Sequence, residues 1–185
     1  TWSKGNADSV IVNAGELKID GQGNDSFTGI VSGANSNSEG HAGSVEITIS
    51  GLMELINRAQ ISSSTGAKGD AGSVVVNANE LKSDSHGSWY FTGIGSTAEP
   101  DSEGHAGPVE ITISGLMELV NGAQISSSTW AKGDAGSVVV NANELKIDSQ
   151  ENGYSTGIWS NALADSEGHA GTVEISISGF MELAN

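Results

Sequence analysis

The sequence predicts an all-β protein: a right-handed parallel β-helix, a solenoid of about six coils with three short strands in each. Three observations lead there. The chain has a 64-residue period, so that Gly40-His41-Ala42-Gly43 returns as Gly104-His105-Ala106-Gly107 and again as Gly168-His169-Ala170-Gly171. Each period divides into two unequal units, because Gly5, Gly40, Gly69, Gly104, Gly133 and Gly168 follow one another at alternating 35- and 29-residue spacings. Each of these glycines opens a similar apolar run that alternates with the period of a strand.

In the shorter unit, Val45-Glu46-Ile47-Thr48-Ile49 alternates apolar and polar residues, Met53-Glu54-Leu55 does so again, and Ile61-Ser62-Ser63-Ser64 is a third, more polar stretch. Ser50-Gly51, Asn57-Arg58-Ala59 and Gly66-Ala67-Lys68-Gly69 separate them with turn residues. Leu52 to Ile56 is too short for a helix and is bounded by Gly and Asn. The longer unit aligns Val74, Val76 and Ala78 with Val45, Ile47 and Ile49, and Leu81 and Ile94 with Met53 and Ile61. Its extra residues fall in inserts, chiefly Ser83 to Thr92, with a smaller excess in Thr97 to Glu103. The inserts Gly21 to Phe27, Ser85 to Phe91 and Ser149 to Ser155 share little sequence, as loops on a constant scaffold do. One unit per coil gives a single domain over 1–185, with coils at about 5–39, 40–68, 69–103, 104–132, 133–167 and 168–185.

Stacking in that register makes columns. Val10, Val45, Val74, Val109, Val138 and Val173 point inward together, as do Val12, Ile47, Val76, Ile111, Val140 and Ile175, and Leu17, Met53, Leu81, Met117, Leu145 and Met181. The same alignment forces Lys18, Glu54, Lys82, Glu118, Lys146 and Glu182 into one outward column of alternating charge. At the coil entrance, Asn6, His41, Asp70, His105, Asp134 and His169 form a second polar column. Both columns are expected to fix register more than to dominate stability.

Composition narrows the function. The chain has 26 Gly, 5% aromatic residues and no Cys, so thiolate chemistry and disulfides are excluded. A net charge of −16 repels phosphate backbones and anionic headgroups, which argues against nucleic acid and bare membrane as partners. No run approaches the roughly 20 apolar residues of a membrane span. Any export signal is expected outside this segment.

Gly122-Ala123-Gln124-Ile125-Ser126-Ser127-Ser128-Thr129, followed by Lys132-Gly133-Asp134-Ala135-Gly136-Ser137-Val138-Val139-Val140-Asn141-Ala142, resembles the repeat region of filamentous-haemagglutinin-like exoproteins of bacterial two-partner secretion. The resemblance covers the whole chain through its repeats. It implies a right-handed parallel β-helix exported across the outer membrane and displayed or released as a long fibre, serving adhesion or the cell-surface layer.

Candidate chemistry is sparse. Equivalent histidines, His41, His105 and His169, lie two coils or about 9.6 Å apart, too far to share a metal with ligand bonds near 2.0–2.1 Å. A structural His and Asp ladder is the expectation, with no cofactor. Asp101-Ser102-Glu103 and Asp165-Ser166-Glu167 offer oxygens of the kind Ca²⁺ takes, but no Gly-rich calcium-loop spacing recurs and a solvated acidic surface is favoured. The acids recur with the repeat and the serines lack a unique His and acid partner, so the sequence predicts no enzyme. Trp2 and Trp130 occupy equivalent corners, while Trp89 and Trp159 are placed in inserts; exposed rings there would stack on sugars or cover corners. Asn24-Asp25-Ser26 matches a glycosylation acceptor at about the chance level for so Asn- and Ser-rich a chain.

The segment reads as cut in mid-coil without polar caps, so an excerpt of a longer array, or end-to-end stacking of copies, is expected. Two functions follow: a stalk or fibre segment of a large secreted bacterial surface protein acting in adhesion, biofilm or sheath formation, or a glycan- or receptor-binding module using the inserts and exposed Trp. The expected setting is extracellular or on the bacterial surface, with further copies of the repeat, or an extracellular glycan, as partners.

Overall fold

The two-residue alternation in the sequence is realised as two parallel sheets wound from consecutive coils. The computed structural model describes residues 1, 4–22, 26–87, 89–150 and 153–185. The first sheet stacks β1 (Val10–Ala14), β4 (Val45–Ile56), β6 (Val74–Asp84), β8 (Val109–Val120), β10 (Val138–Asp148) and β12 (Val173–Ile177) in that order. At its two ends β2 (Leu17–Asp20) pairs with β4 and β13 (Met181–Ala184) pairs with β10. The second sheet stacks β3 (Thr28–Ala34), β5 (Ala59–Thr65), β7 (Gly93–Ala98), β9 (Gln124–Thr129) and β11 (Gly157–Ala162). Pairing is parallel throughout, giving a β-solenoid of about 5 turns with no helix among the described residues.

The inward columns stand in the expected register. Val45 pairs with Val74, Ile47 with Val76 and Met53 with Leu81, and the same partners recur a period later at Val109, Ile111 and Met117. In the inner coils these side chains are fully buried, each contributing on the order of 1.5–3 kcal/mol of apolar transfer. At the last level Val173 and Met181 are 42% and 44% exposed, because no further level covers them, whereas Val138 and Leu145 beneath them are 0% exposed. The second sheet adds an isoleucine column, Ile30, Ile61, Ile94, Ile125 and Ile158.

The first two of the three expected strand stretches run together in the inner coils as one strand of 11 or 12 residues. A β-bulge bends it: register shifts between Ile49 and Leu52, so Ser50 and Gly51 oppose Asn79 alone. Gly115 occupies the bulge one period later, where a Cβ would stand 2.9 Å from the Asn79 carbonyl. Glycine is required there by close approach.

The third side has no regular strand among the described residues, yet it is a hydrogen-bonded ladder. Ala42 N–H donates to the Asp70 carbonyl at 2.9 Å, Ala71 to His105 at 2.8 Å and Ala106 to Asp134 at 2.9 Å. Consecutive glycines meet so closely that a Cβ on Gly104 would lie 2.1 Å from the Gly69 carbonyl. No side chain fits between the stacked glycines, and the corner is held from across the interior as well. Ser63 Oγ accepts the Gly72 N–H at 2.8 Å and donates to the Gly43 carbonyl at 3.0 Å, linking two coils. Ser96 repeats this with Gly107 and Gly72, and Ser127 with Gly136 and Gly107. Ser32, Ser63, Ser96, Ser127 and Ser160 are one register column of the second sheet, and its three middle hydroxyls are fully buried.

Two buried serines have opposite expected effects when replaced. Ser96→Ala strands the Gly107 N–H and the Gly72 carbonyl and should cost about 2 kcal/mol. Ser83 stands in a column otherwise made of Ile19, Leu55, Leu119, Ile147 and Leu183, and its hydroxyl has no partner among the described residues. Ser83→Ile should therefore stabilise by about 1 kcal/mol. Urea denaturation of both variants checks the pair, and equal midpoints would refute the hydroxyl-bridge account.

Candidate binding groove and surface ladders

Register turns scattered charges into pairs. Lys18 Nζ lies 3.3 Å from Glu54 Oε2, Lys82 Nζ 3.9 Å from Glu118 Oε2 and Lys146 Nζ 3.6 Å from Glu118 Oε1. Glu118 thus takes a lysine from the level on either side. The Lys18 to Glu182 column is continuous in register across the first sheet, as the alignment of long and short units requires.

The second column supplies acceptors at the corner. Asn6 Oδ1 accepts the His41 N–H at 3.0 Å, His41 Nδ1 the Asp70 N–H at 2.9 Å, and Asp70 Oδ1 the His105 N–H at 2.9 Å. The pattern continues through His105 and Asp134 to His169. A histidine that accepts a backbone N–H through Nδ1 carries its proton on Nε2. Asp134 is held below the usual carboxylate range by the His169 N–H first and then by the His169 ring.

A third polar set, Asp20, Asp84 and Asp148, is not flagged by motif or alternation, although all three recur with the 64-residue period. Each ends a strand of the first sheet and opens an insert: their carboxylates accept the N–H of Gln22, His86 and Gln150 at 2.8–2.9 Å. Those acceptor turns hold Gln22, His86 and Gln150 at φ of 54, 51 and 52°, a conformation the local side-chain bond supports. Asn57 and Asn121 of the neighbouring short coils donate to Asp20 and Asp84 at 2.9 and 3.1 Å. The Asn57 amide, and then the Gln22 N–H, lower the pKa of Asp20. At their far ends the inserts are fastened again, since Gln60 Nε2 donates to the Phe91 carbonyl and Gln124 Nε2 to the Ser155 carbonyl, both at 3.3 Å.

Fastening the inserts this way walls the outer face of the second sheet. The outward rows there are Gln60, Gly93 and Gln124; Ser62, Gly95, Ser126 and Trp159; and Ser64, Thr97, Ser128 and Asn161. The side chains are small in the middle levels, and the Phe91 ring settles over Gly95, where an added Cβ would be 3.2 Å from its Cζ. The result is an open groove of about 650 Å³ with a hydroxyl and amide floor and with Phe27, Phe91, Trp130 and Trp159 around it. Glu99 lies at its margin, its pKa raised by desolvation of the carboxyl.

The four tryptophans therefore separate. Trp130 and Trp159 share the groove. Trp159 is not in an insert, as the sequence suggested, but within β11 and opposite Ser126, because pairing to β9 extends to Gly157. Trp89 lies elsewhere, its ring 5.0 Å from that of Tyr154 in an edge-on pair. Trp2 and the Asn24-Asp25 part of the glycosylation match lie outside the described residues. No group of three His, Cys, Asp or Glu side chains able to hold a metal occurs among the described residues, so the Asp101 and Asp165 loops form no such cluster. Nor does any described helix have the length and apolarity to cross a membrane. Comparison with family models, with curated proteins and with solved structures found no match to the chain.

Two predictions concern the ladders. Lys82→Glu places like charges at 54, 82 and 118 about 4.8 Å apart and should lower stability by roughly 1 kcal/mol, with most of the loss screened by high salt. Asp134 has a depressed folded pKa, so its contribution is fully present above the unfolded carboxylate value near 3.9 and is lost as pH falls through the lower folded value. Asp134→Asn keeps an acceptor for His169, as Asn6 does for His41, without a titrating proton. Urea denaturation should then find the variant less stable than the parent at neutral pH, by a margin that closes as pH falls through the lowered folded value of Asp134; a margin independent of pH contradicts the assignment.

Proposed function

We propose that the chain is a structural segment, a stalk or fibre body, of a large secreted bacterial surface protein acting in adhesion, biofilm or sheath formation. The observation that carries this reading is the unbroken register: every period adds two levels of identical design, whose columns of Val, Ile, Met and Leu continue without a change of direction. Such a stack grows in length at constant cross-section, by about 9.6 Å for each 64-residue period. The likeness of the repeat to filamentous-haemagglutinin-like exoproteins supports the same reading, together with an extracellular or cell-surface setting. A net charge of −16 suits a fibre that must stay soluble and apart from nucleic acids and anionic lipids. Its partners in this reading are further copies of the repeat or fibre, and the surface or extracellular glycan to which the cell attaches.

Extending the chain tests the mechanical core of the proposal. Additional 64-residue periods inserted in register should lengthen the particle seen by small-angle X-ray scattering by about 9.6 Å each, with the cross-sectional radius unchanged. A particle that thickens or collapses as periods are added would remove the stalk reading.

A further inference from the structure

We propose that the groove on the outer face of the second sheet binds a neutral oligosaccharide laid along the solenoid axis. Trp130 and Trp159 stack on its sugar rings, and the amide and hydroxyl side chains of the floor hydrogen-bond its hydroxyls. The site is a property of one face and stands apart from the stalk reading.

The groove's chemistry selects this occupant. Its floor displays Gln60, Ser62, Ser64, Thr97, Gln124 and Asn161, side chains that both donate and accept, as hydroxyl groups do. Around it are aromatic rings with free surface: Trp130 is 43% exposed and Phe27 55%. A flat polar floor beside aromatic faces matches a sugar, whose ring has apolar C–H faces and a polar rim.

Charge removes the competing ligands. Among the described lining residues there is no Lys or Arg, and Glu99 is the sole carboxylate. A sulfated glycan or a nucleic acid, which would also use aromatic stacking, meets no cation here and a chain of net charge −16. An extended peptide adds to a sheet at a free edge, whereas this surface is a sheet face whose middle strands are hydrogen-bonded on both sides.

Geometry agrees with a linear ligand. From the β3 level, beside Phe27, to the β11 level of Trp159 are four steps of about 4.8 Å, or about 19 Å, with the Phe91 ring over Gly95 midway, so that a row of sugar units would cross that ring. One carboxyl does not make the pair that glycoside hydrolysis uses, so the proposal is of binding.

The test titrates the 185-residue chain with three probes, cellohexaose, maltohexaose and a heparin hexasaccharide, by isothermal calorimetry up to millimolar concentration. At least one neutral hexasaccharide should bind, and Trp130→Ala and Trp159→Ala should each weaken it roughly tenfold or more. Trp89→Ala, at a ring that does not line the groove, should weaken binding much less than either groove variant does. Because Trp159→Ala could disturb β11, Ser64→Lys serves as a second probe: it fills the floor from an outward position and should also abolish binding without shifting the thermal midpoint. Binding of neither neutral sugar, binding only of the heparin fragment, or sugar binding indifferent to Trp130, Trp159 and Ser64 would each overturn the proposal. So would self-association that Trp130→Ala abolishes and neither sugar competes with, since the face would then be an interface between copies.

Discussion

The close approach of backbones at the glycine corner is the constraint on which the rest of the solenoid depends. Where Gly104 passes over Gly69 there is no space for a Cβ, so at the stacked glycines backbone packs on backbone, with only small alanines such as Ala42 and Ala106 buried beside them. Backbone groups stacked this closely must still be paired when buried. Two devices do this: the ladder from each Ala N–H to the carbonyl of the next level, and the serine hydroxyls that reach across from the second sheet. The serine column consequently sets how far apart the second sheet and the corner lie. It also makes each coil depend on its neighbour, since a single hydroxyl bonds glycines of two levels.

Once spacing is fixed, the alternation of long and short coils decides what meets what. Like residues recur two levels apart, so neighbours in a column are always one long-coil and one short-coil residue. The Ala14, Ile49, Ala78, Ile113, Ala142, Ile177 column alternates small and large and keeps the summed volume constant. The same arithmetic sets Lys beside Glu and His beside Asp, where a strict single repeat would have stacked like charges. A two-unit period is therefore an electrostatic solution as much as a packing one.

The fold and its inward columns were legible because side-chain direction alternates with period 2 and the repeat supplies six samples of each position. Lys18 could be placed beside Glu54 from the alignment alone. Other features have no such signal. Ser62-Ser63-Ser64 reads as polar filler, since a run of one residue type shows no alternation; only the register makes Ser63 an interior bridge and leaves Ser62 and Ser64 outside. Asp20, Asp84 and Asp148 were visible as a recurrence at the full period, but in an acid-rich chain their role as loop anchors depends on turn geometry. The groove was least legible. Trp130 and Trp159 stand a whole coil apart along the chain, and one belongs to a corner, the other to a strand; they come together because coils stack, and Phe27 and Phe91 join them because the inserts fold back over the same face.

The anchoring of those inserts explains how one scaffold can carry dissimilar loops. The second insert leaves from Asp84, which fixes its first turn, and returns where Gln60 holds the Phe91 carbonyl and Thr92, just before β7, accepts the Arg58 N–H at 2.8 Å. Between those two points no described residue belongs to a strand of either sheet, so the sequence is largely free of the register. Changes in the inserts can therefore alter the wall of the groove while the columns beneath keep the coils aligned. The acidic residues follow the same division. They cluster at corners, turns and the first sheet, where they anchor loops or pair across levels, and the described floor of the second sheet's outer face carries none. A chain that is strongly anionic overall thus presents one face whose groove carries a single carboxylate, Glu99, and any ligand that approaches it is selected by shape and hydrogen bonding more than by charge.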